Sequence, residues 1–177
     1  MSSHPVPNLR PLAPGIVLAL LSIAFGFALG GSFGAAESSI KGQLRSSADA
    51  VFETVYEGDA SKRDKVVSKS WAYMKRAHLH GGAIGAAALA SILLLGLLGS
   101  PGLLERISAG AFGAGSLLYS LFWLAAGLTA PAVGSTGEAK EALGFLAIPG
   151  AGLCLLGIAG TIVSVLRQLV GAPVDSD

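Results

Sequence analysis

Four long stretches of the chain carry no Asp, Glu, Lys or Arg: Pro11 to Ala36, Ala77 to Leu104, Ile107 to Gly137 and Ala142 to Leu166. A helix rises about 1.5 Å per residue and the hydrocarbon core of a bilayer is about 30 Å thick, so roughly 20 apolar residues suffice to cross it. Each stretch is long enough, and the pattern predicts an all-α chain with transmembrane helices at 11–36, 77–99, 107–128 and 142–167. The third is shorter than its uncharged run because Thr129-Ala130-Pro131 and Gly134-Ser135-Thr136-Gly137 read as a break followed by a loop over 129–141. A short loop at 100–106 joins the second and third spans, and polar tails lie at 1–10 and 168–177. Arg10 before the first stretch and Gly34-Ala35-Ala36 at its end are also features of a secretory leader, whose cleavage would leave three spans. The apolar run from Leu12 is longer than the roughly 7–15-residue core of a leader, so it reads as a span.

Between the first two spans, residues 37–76 concentrate the charge, with Lys41, Arg45, Lys62, Arg63, Lys65, Lys69, Lys75 and Arg76. The apolar residues there recur at intervals of three and four: Ile40, Leu44, Ala48, Val51 and Val55, then Val67, Trp71 and Met74, continued by His78. That spacing gives one stripe on each of two helices, and Gly58-Asp59-Ala60-Ser61 supplies a turn, with Asp59 or Ser61 able to cap the second helix. The prediction is that spans 1 and 2 continue beyond the membrane as an antiparallel helical hairpin. The alternative is an amphipathic segment lying on the lipid headgroups.

In lipid, helices gain nothing from hiding apolar surface from one another, so association depends on close backbone approach. Ser22, Gly26, Gly30 and Gly34 recur every four residues on span 1, and Gly82, Ala86 and Ala90 do so on span 2. Span 3 offers Ala109 with Gly113 and Gly110 with Ala114; span 4 offers Gly150, Gly152, Gly157 and Gly160. These rows predict tight contacts, either inside one four-helix bundle or between subunits. Pro149 lacks a backbone donor within span 4 and is expected to kink it.

Composition agrees with this reading: 52% hydrophobic residues, 13% charged and 25 glycines do not belong to an ordinary soluble domain of 177 residues. The net charge of +1 gives no footprint for nucleic acid, and the single cysteine, Cys154, cannot form an internal disulfide. No Walker loop, G-x-S-x-G, H-E-x-x-H or paired-cysteine pattern occurs, and the span interiors lack the ionisable residues that mark ion pathways.

Chemistry is confined to one interface. A hairpin folded symmetrically about Asp59 sets Glu37 level with His78-Leu79-His80, so a Glu37–His78 contact is expected. The loop before span 4 brings Glu138, Lys140 and Glu141 to the same side. Histidine and carboxylate ligands suit a transition metal, which makes His78, His80, Glu37 and Glu141 the candidate ligands, with Met74 as an auxiliary. His78 and His80, two residues apart, point about 200° from each other on a regular helix, so joint chelation requires Gly81-Gly82 to loosen it. The bland reading is an interfacial histidine bonded to a carboxylate for structural reasons. A bis-histidine haem is disfavoured, since His4, His78 and His80 are the whole supply.

Counting Lys and Arg on each side of the spans, the hairpin side dominates, which places it in the cytoplasm of a cell membrane by the positive-inside rule. Three functions are compatible with these observations. The first is an accessory or scaffold subunit that packs against itself or another membrane subunit, with the bilayer as its other partner. The second is a metal- or redox-linked protein, and the third a channel or transporter for a small neutral solute.

Overall fold

The computed structural model describes residues 8–171, and every regular element among them is helical. A 3-10 turn at Arg10–Leu12 leads into α1 (Ala13–Asp49), followed by α2 (Phe52–Val55), α3 (Ala60–Leu97), α4 (Leu103–Val133), α5 (Thr136–Ala142) and α6 (Gly144–Gly171). Four of these, α1, α3, α4 and α6, are long and apolar enough to cross a membrane. His4 and the outer parts of the two polar tails lie outside the described residues.

The bundle is organised around α4, which packs against α1, α3 and α6, while α1 and α3 run antiparallel and α6 leans almost wholly on α4. The composition of α4 suits a central position. It buries small residues along its length, including Ala109, Gly113, Ser116, Ser120 and Ala126. Its buried hydroxyls satisfy themselves locally: Ser116 donates to Gly113 O at 2.8 Å and Ser120 to Ser116 O at 2.7 Å. The inward face of α3 is a continuous row at spacings of three and four through Ser70, Met74, Ala77, Gly81, Gly85, Ala88 and Ile92.

Two close approaches hold α1 in place. Gly26 lies against Gly81 and Gly82 of α3, where an added methyl would sit 2.6 Å from Gly82 N and 3.0 Å from His78 O. Nearer the start of α1, Gly15 and Gly113 of α4 meet backbone to backbone. A hydrogen bond from Ser22 Oγ to Gly81 O at 3.2 Å joins the first of these contacts. On the other side of α4, Gly157 meets Phe112 and Gly160 meets Ser108, so the glycine row expected on α6 does face the bundle at these positions.

The small-residue row assigned to the second span is corrected. A methyl on Gly82 would meet nothing within 4 Å, and Ala86 and Ala90 are exposed. The face in contact is rotated by about one residue, to Gly81, Gly85 and Ala88, because the approach is set by where Gly26 and Ser22 lie on α1. On α1, Ser22 and Gly26 are buried and Gly30 faces His78, but Gly34 meets nothing.

Three boundaries also differ from expectation. First, α1 stops at Asp49 instead of continuing through Val55, and residues 50–59 form a compact connector around α2. Glu57 and Gly58 both take positive φ, at 55° and 73°, which reverses the chain before Asp59 caps α3 by accepting from Lys62 N at 2.9 Å. Second, α4 runs on to Val133 through Pro131. Pro131 has no N–H to give the Gly127 carbonyl one turn back, which weakens the ladder there, and the helix ends three residues on, where Gly134 turns left-handed at φ 77° with its N–H on Ala130 O. The residues read as a loop after it contain α5, capped by Ser135, which accepts from Glu138 N at 3.2 Å. Third, α6 starts at Gly144 and runs to Gly171, past the 142–167 expected for span 4, with Pro149 in its second turn. Non-helical dihedrals interrupt α1 at Ala36, where φ is −140° and ψ 27°.

The connector does not stand free. Tyr56 is fully buried with Ala48, Val66, Ala130 and Ala139, and its hydroxyl donates to Pro131 O at 2.7 Å. The charged end of the molecule is thus a packed unit of α1, α3, the end of α4 and α5, more than the two-stranded hairpin of the prediction.

Candidate functional site

Where the apolar helices give way to charged residues, the aromatic side chains gather. On one side, Tyr73, His80, Tyr119, Phe122 and Trp123 form a cluster between α3 and α4, with His80 stacked on Tyr119 at 5.3 Å between ring centroids. The Arg76 guanidinium lies 4.9 Å from the centre of Trp123 and 5.3 Å from that of Tyr73, and Lys140 of α5 reaches 5.9 Å from Tyr73. Aromatic rings with basic groups above them fit a boundary between an apolar and an aqueous medium. His80 Nδ1 and Trp123 Nε1 are buried there without a protein hydrogen-bond partner.

On the other side, between α1 and α3, lies a cleft of about 460 Å³. Its apolar half consists of Gly30, Gly34 and Leu79; its floor is aromatic, from Phe33 and Trp71, whose rings meet edge to face at 4.9 Å. Its polar rim has Glu37, Lys75 and His78. The cleft exists because Gly30 and Gly34 present no side chain where α1 passes α3. A methyl on Gly30 would lie 2.6 Å from the His78 ring.

His78 has a defined role. Its Nδ1 is 2.7 Å from Gly26 O, and a carbonyl oxygen can only accept, so Nδ1 carries the proton and donates. In the neutral ring this leaves Nε2 as an acceptor beside Gly30. Glu37 forms an ion pair with Lys41 one turn on, and that hydrogen bond and charge, with Lys75 nearby, hold its carboxyl below the usual glutamate range.

The expected Glu37–His78 contact does not form. Both residues line the cleft, but Gly81 sits against Gly26, eleven residues earlier on α1 than Glu37, and His78 sits against Gly30. The register is displaced because α1 ends at Asp49, which moves the point of reversal toward the first helix. Of the four candidate metal ligands, His78 bonds Gly26, His80 joins the aromatic cluster across α3, Glu37 pairs with Lys41 and Glu141 is exposed on α5. Among the described residues, no three His, Cys, Asp or Glu side chains are placed to hold a metal ion. Met74 is core, packed with Phe33 and Leu44.

At the opposite end of the bundle, Glu105 ties α4 to α6. It accepts from Gly102 N at 2.9 Å and from Ser164 Oγ at 2.8 Å, so one carboxylate closes the start of α4 and anchors α6. Burial alone would raise the Glu105 pKa; the bonds from Ser164 and Gly102 outweigh it and hold the carboxyl below its usual value. Cys154 is free, and its sulfur packs toward Gly115.

Sequence reasoning overlooked Lys75, Trp71 and Phe33 as cleft residues, since each fits equally well on a helical stripe or a solvated face. The available signal was the pair Gly30 and Gly34, read as packing residues, at the edge of the charged segment. Compared with known proteins, the chain matches no family model, no curated protein and no solved structure.

Proposed function

We propose that this protein is a multi-pass integral membrane protein that serves as an accessory or scaffold subunit, assembling with itself or with another membrane subunit. The observation that carries this reading is the outward face of α3. Gly82, Ala86 and Ala90 form a row spaced for close helix approach, yet nothing among the described residues covers it. Small residues gain little from lipid and much from another helix. The exposed leucines, isoleucines and valines on α1, α4 and α6 suit acyl chains, and the charged end with its packed connector offers a polar docking surface.

Two further points belong to this proposal. The bilayer boundary lies at the aromatic level of Trp71, Trp123 and Tyr73, so the ends of α1 and α3 project into water. The Lys and Arg content of that end directs it to the cytoplasmic side of a cell membrane.

The test is the state of the full chain extracted in mild detergent. A defined oligomer or a stoichiometric membrane partner is expected, and Ala86→Phe, which replaces a methyl with a ring on the outward row, should dissociate it while leaving helicity intact. A monodisperse monomer without a partner would contradict the proposal.

A further inference from the structure

We infer that the cleft between α1 and α3 seats the headgroup of a single phosphatidylethanolamine-type lipid, with the phosphate on Lys75, the primary ammonium on Glu37, and an acyl chain along Gly30, Gly34 and Leu79. This rests on the membrane reading above. The cleft straddles the level at which uncharged sequence ends and charge begins, so its occupant must be apolar at one end and charged at the other. Its volume of about 460 Å³ lies within the range that holds small ligands.

The choice of headgroup follows from the rim. Lys75 is a cation with no carboxylate within ion-pair distance among the described residues, so it can meet a phosphate. Glu37 keeps acceptor capacity beyond its bond to Lys41, since a carboxylate accepts at two oxygens. His78, whose Nδ1 donates to Gly26 O, lies at the Gly30 end of the cleft, away from Glu37. One donor cation followed by one carboxylate acceptor matches a phosphate followed by an amine with N–H groups. A choline headgroup has no N–H to give to Glu37, and a headgroup that is only anionic meets Glu37 as a like charge. The exposed Leu79, with 60% of its surface open, continues the wall of the cleft into the region of acyl chains.

The test uses the full chain in detergent, incubated with equimolar dioleoyl phosphatidylethanolamine, phosphatidylcholine and phosphatidylglycerol, with retained lipid counted by native mass spectrometry. Phosphatidylethanolamine should be retained over phosphatidylcholine by about fivefold or more, the scale of one or two lost hydrogen bonds. Glu37→Gln and Lys75→Gln both change exposed side chains and leave the helix contacts untouched. Glu37→Gln should bring the preference to about twofold or less, whereas Lys75→Gln should lower retention of every phospholipid. Equal retention of the three lipids, a preference for phosphatidylglycerol, or wild-type selectivity in both variants overturns the inference while leaving the membrane reading intact. No retained lipid, together with solubility in the absence of detergent, overturns both.

Discussion

A methyl group at Gly26 should cost the bundle far more than one at Gly82, although both glycines lie in the same interhelical region. In the first case the new carbon would sit 2.6 Å from Gly82 N, 3.0 Å from Gly81 C and 3.0 Å from His78 O, all of them backbone atoms of α3 that cannot turn aside. Relief requires α1 and α3 to separate by several tenths of an ångström, enough to forfeit about a quarter of the dispersion energy along the seam. The separation also strains the flanking hydrogen bonds, His78 Nδ1 to Gly26 O at 2.7 Å and Ser22 Oγ to Gly81 O at 3.2 Å. Overpacking costs about 1–3 kcal/mol, and each interhelical bond in a membrane contributes about 0.6 kcal/mol, so Gly26→Ala should destabilise by about 2–4 kcal/mol. At Gly82 a methyl meets nothing within 4 Å, and the gain in helix propensity makes Gly82→Ala neutral or stabilising by up to about 1 kcal/mol. Equilibrium unfolding in mixed micelles, followed by circular dichroism, compares the two. Equal effects, or a harmless Gly26→Ala, would refute the α1–α3 register and the close contact that defines it.

Other consequences can be measured independently. Tyr56→Phe removes the donor to Pro131 O from a fully buried site and should cost about 1–2 kcal/mol in the same unfolding assay. Burial raises the Tyr56 pKa above its ordinary value of 10.0, so the folded protein favours the neutral phenol; that contribution is complete below pH 10.0 and is lost as pH rises through the folded value, a loss that Tyr56→Phe should abolish. Glu105→Ala should loosen the start of α4 and its tie to Ser164 of α6, costing about 1–2 kcal/mol and speeding amide exchange at Gly102 and Leu103. The Glu37–Lys41 pair works with the opposite pH sign. The carboxyl is held low in the fold, so its small stabilisation is present above the ordinary carboxylate range and disappears in acid, and Glu37→Gln should flatten that part of the profile.

The number and type of the long helices were legible because a run without charge reports directly on the medium a helix can occupy, and four such runs stand out against the charged 37–76 segment. Register was not legible. Apolar spacing defines a stripe on α1 and another on α3, but any sliding of one along the other keeps both stripes facing. What fixes the pairing is the reversal at Glu57 and Gly58, the early end of α1 at Asp49 and the backbone contact at Gly26. Glycine spacing likewise shows that a close contact is possible without naming its partner. Gly26 finds α3, whereas Gly82 points away from the bundle. The tie between Tyr56 and Pro131 joins residues 75 apart in sequence, and no local pattern anticipates it.

The most direct test of the whole account is cysteine accessibility in intact cells, in a Cys154→Ala background, with Ser61→Cys at the charged end, Ser100→Cys in the loop between α3 and α4, and Ala86→Cys on the outward face of α3. A membrane-impermeant thiol reagent should label Ser100→Cys, label Ser61→Cys only after lysis, and leave Ala86→Cys unmodified until detergent is added. Labelling of Ala86→Cys at the rate of the other two, or recovery of the protein in the soluble fraction without detergent, would contradict the claim that lipid surrounds these helices.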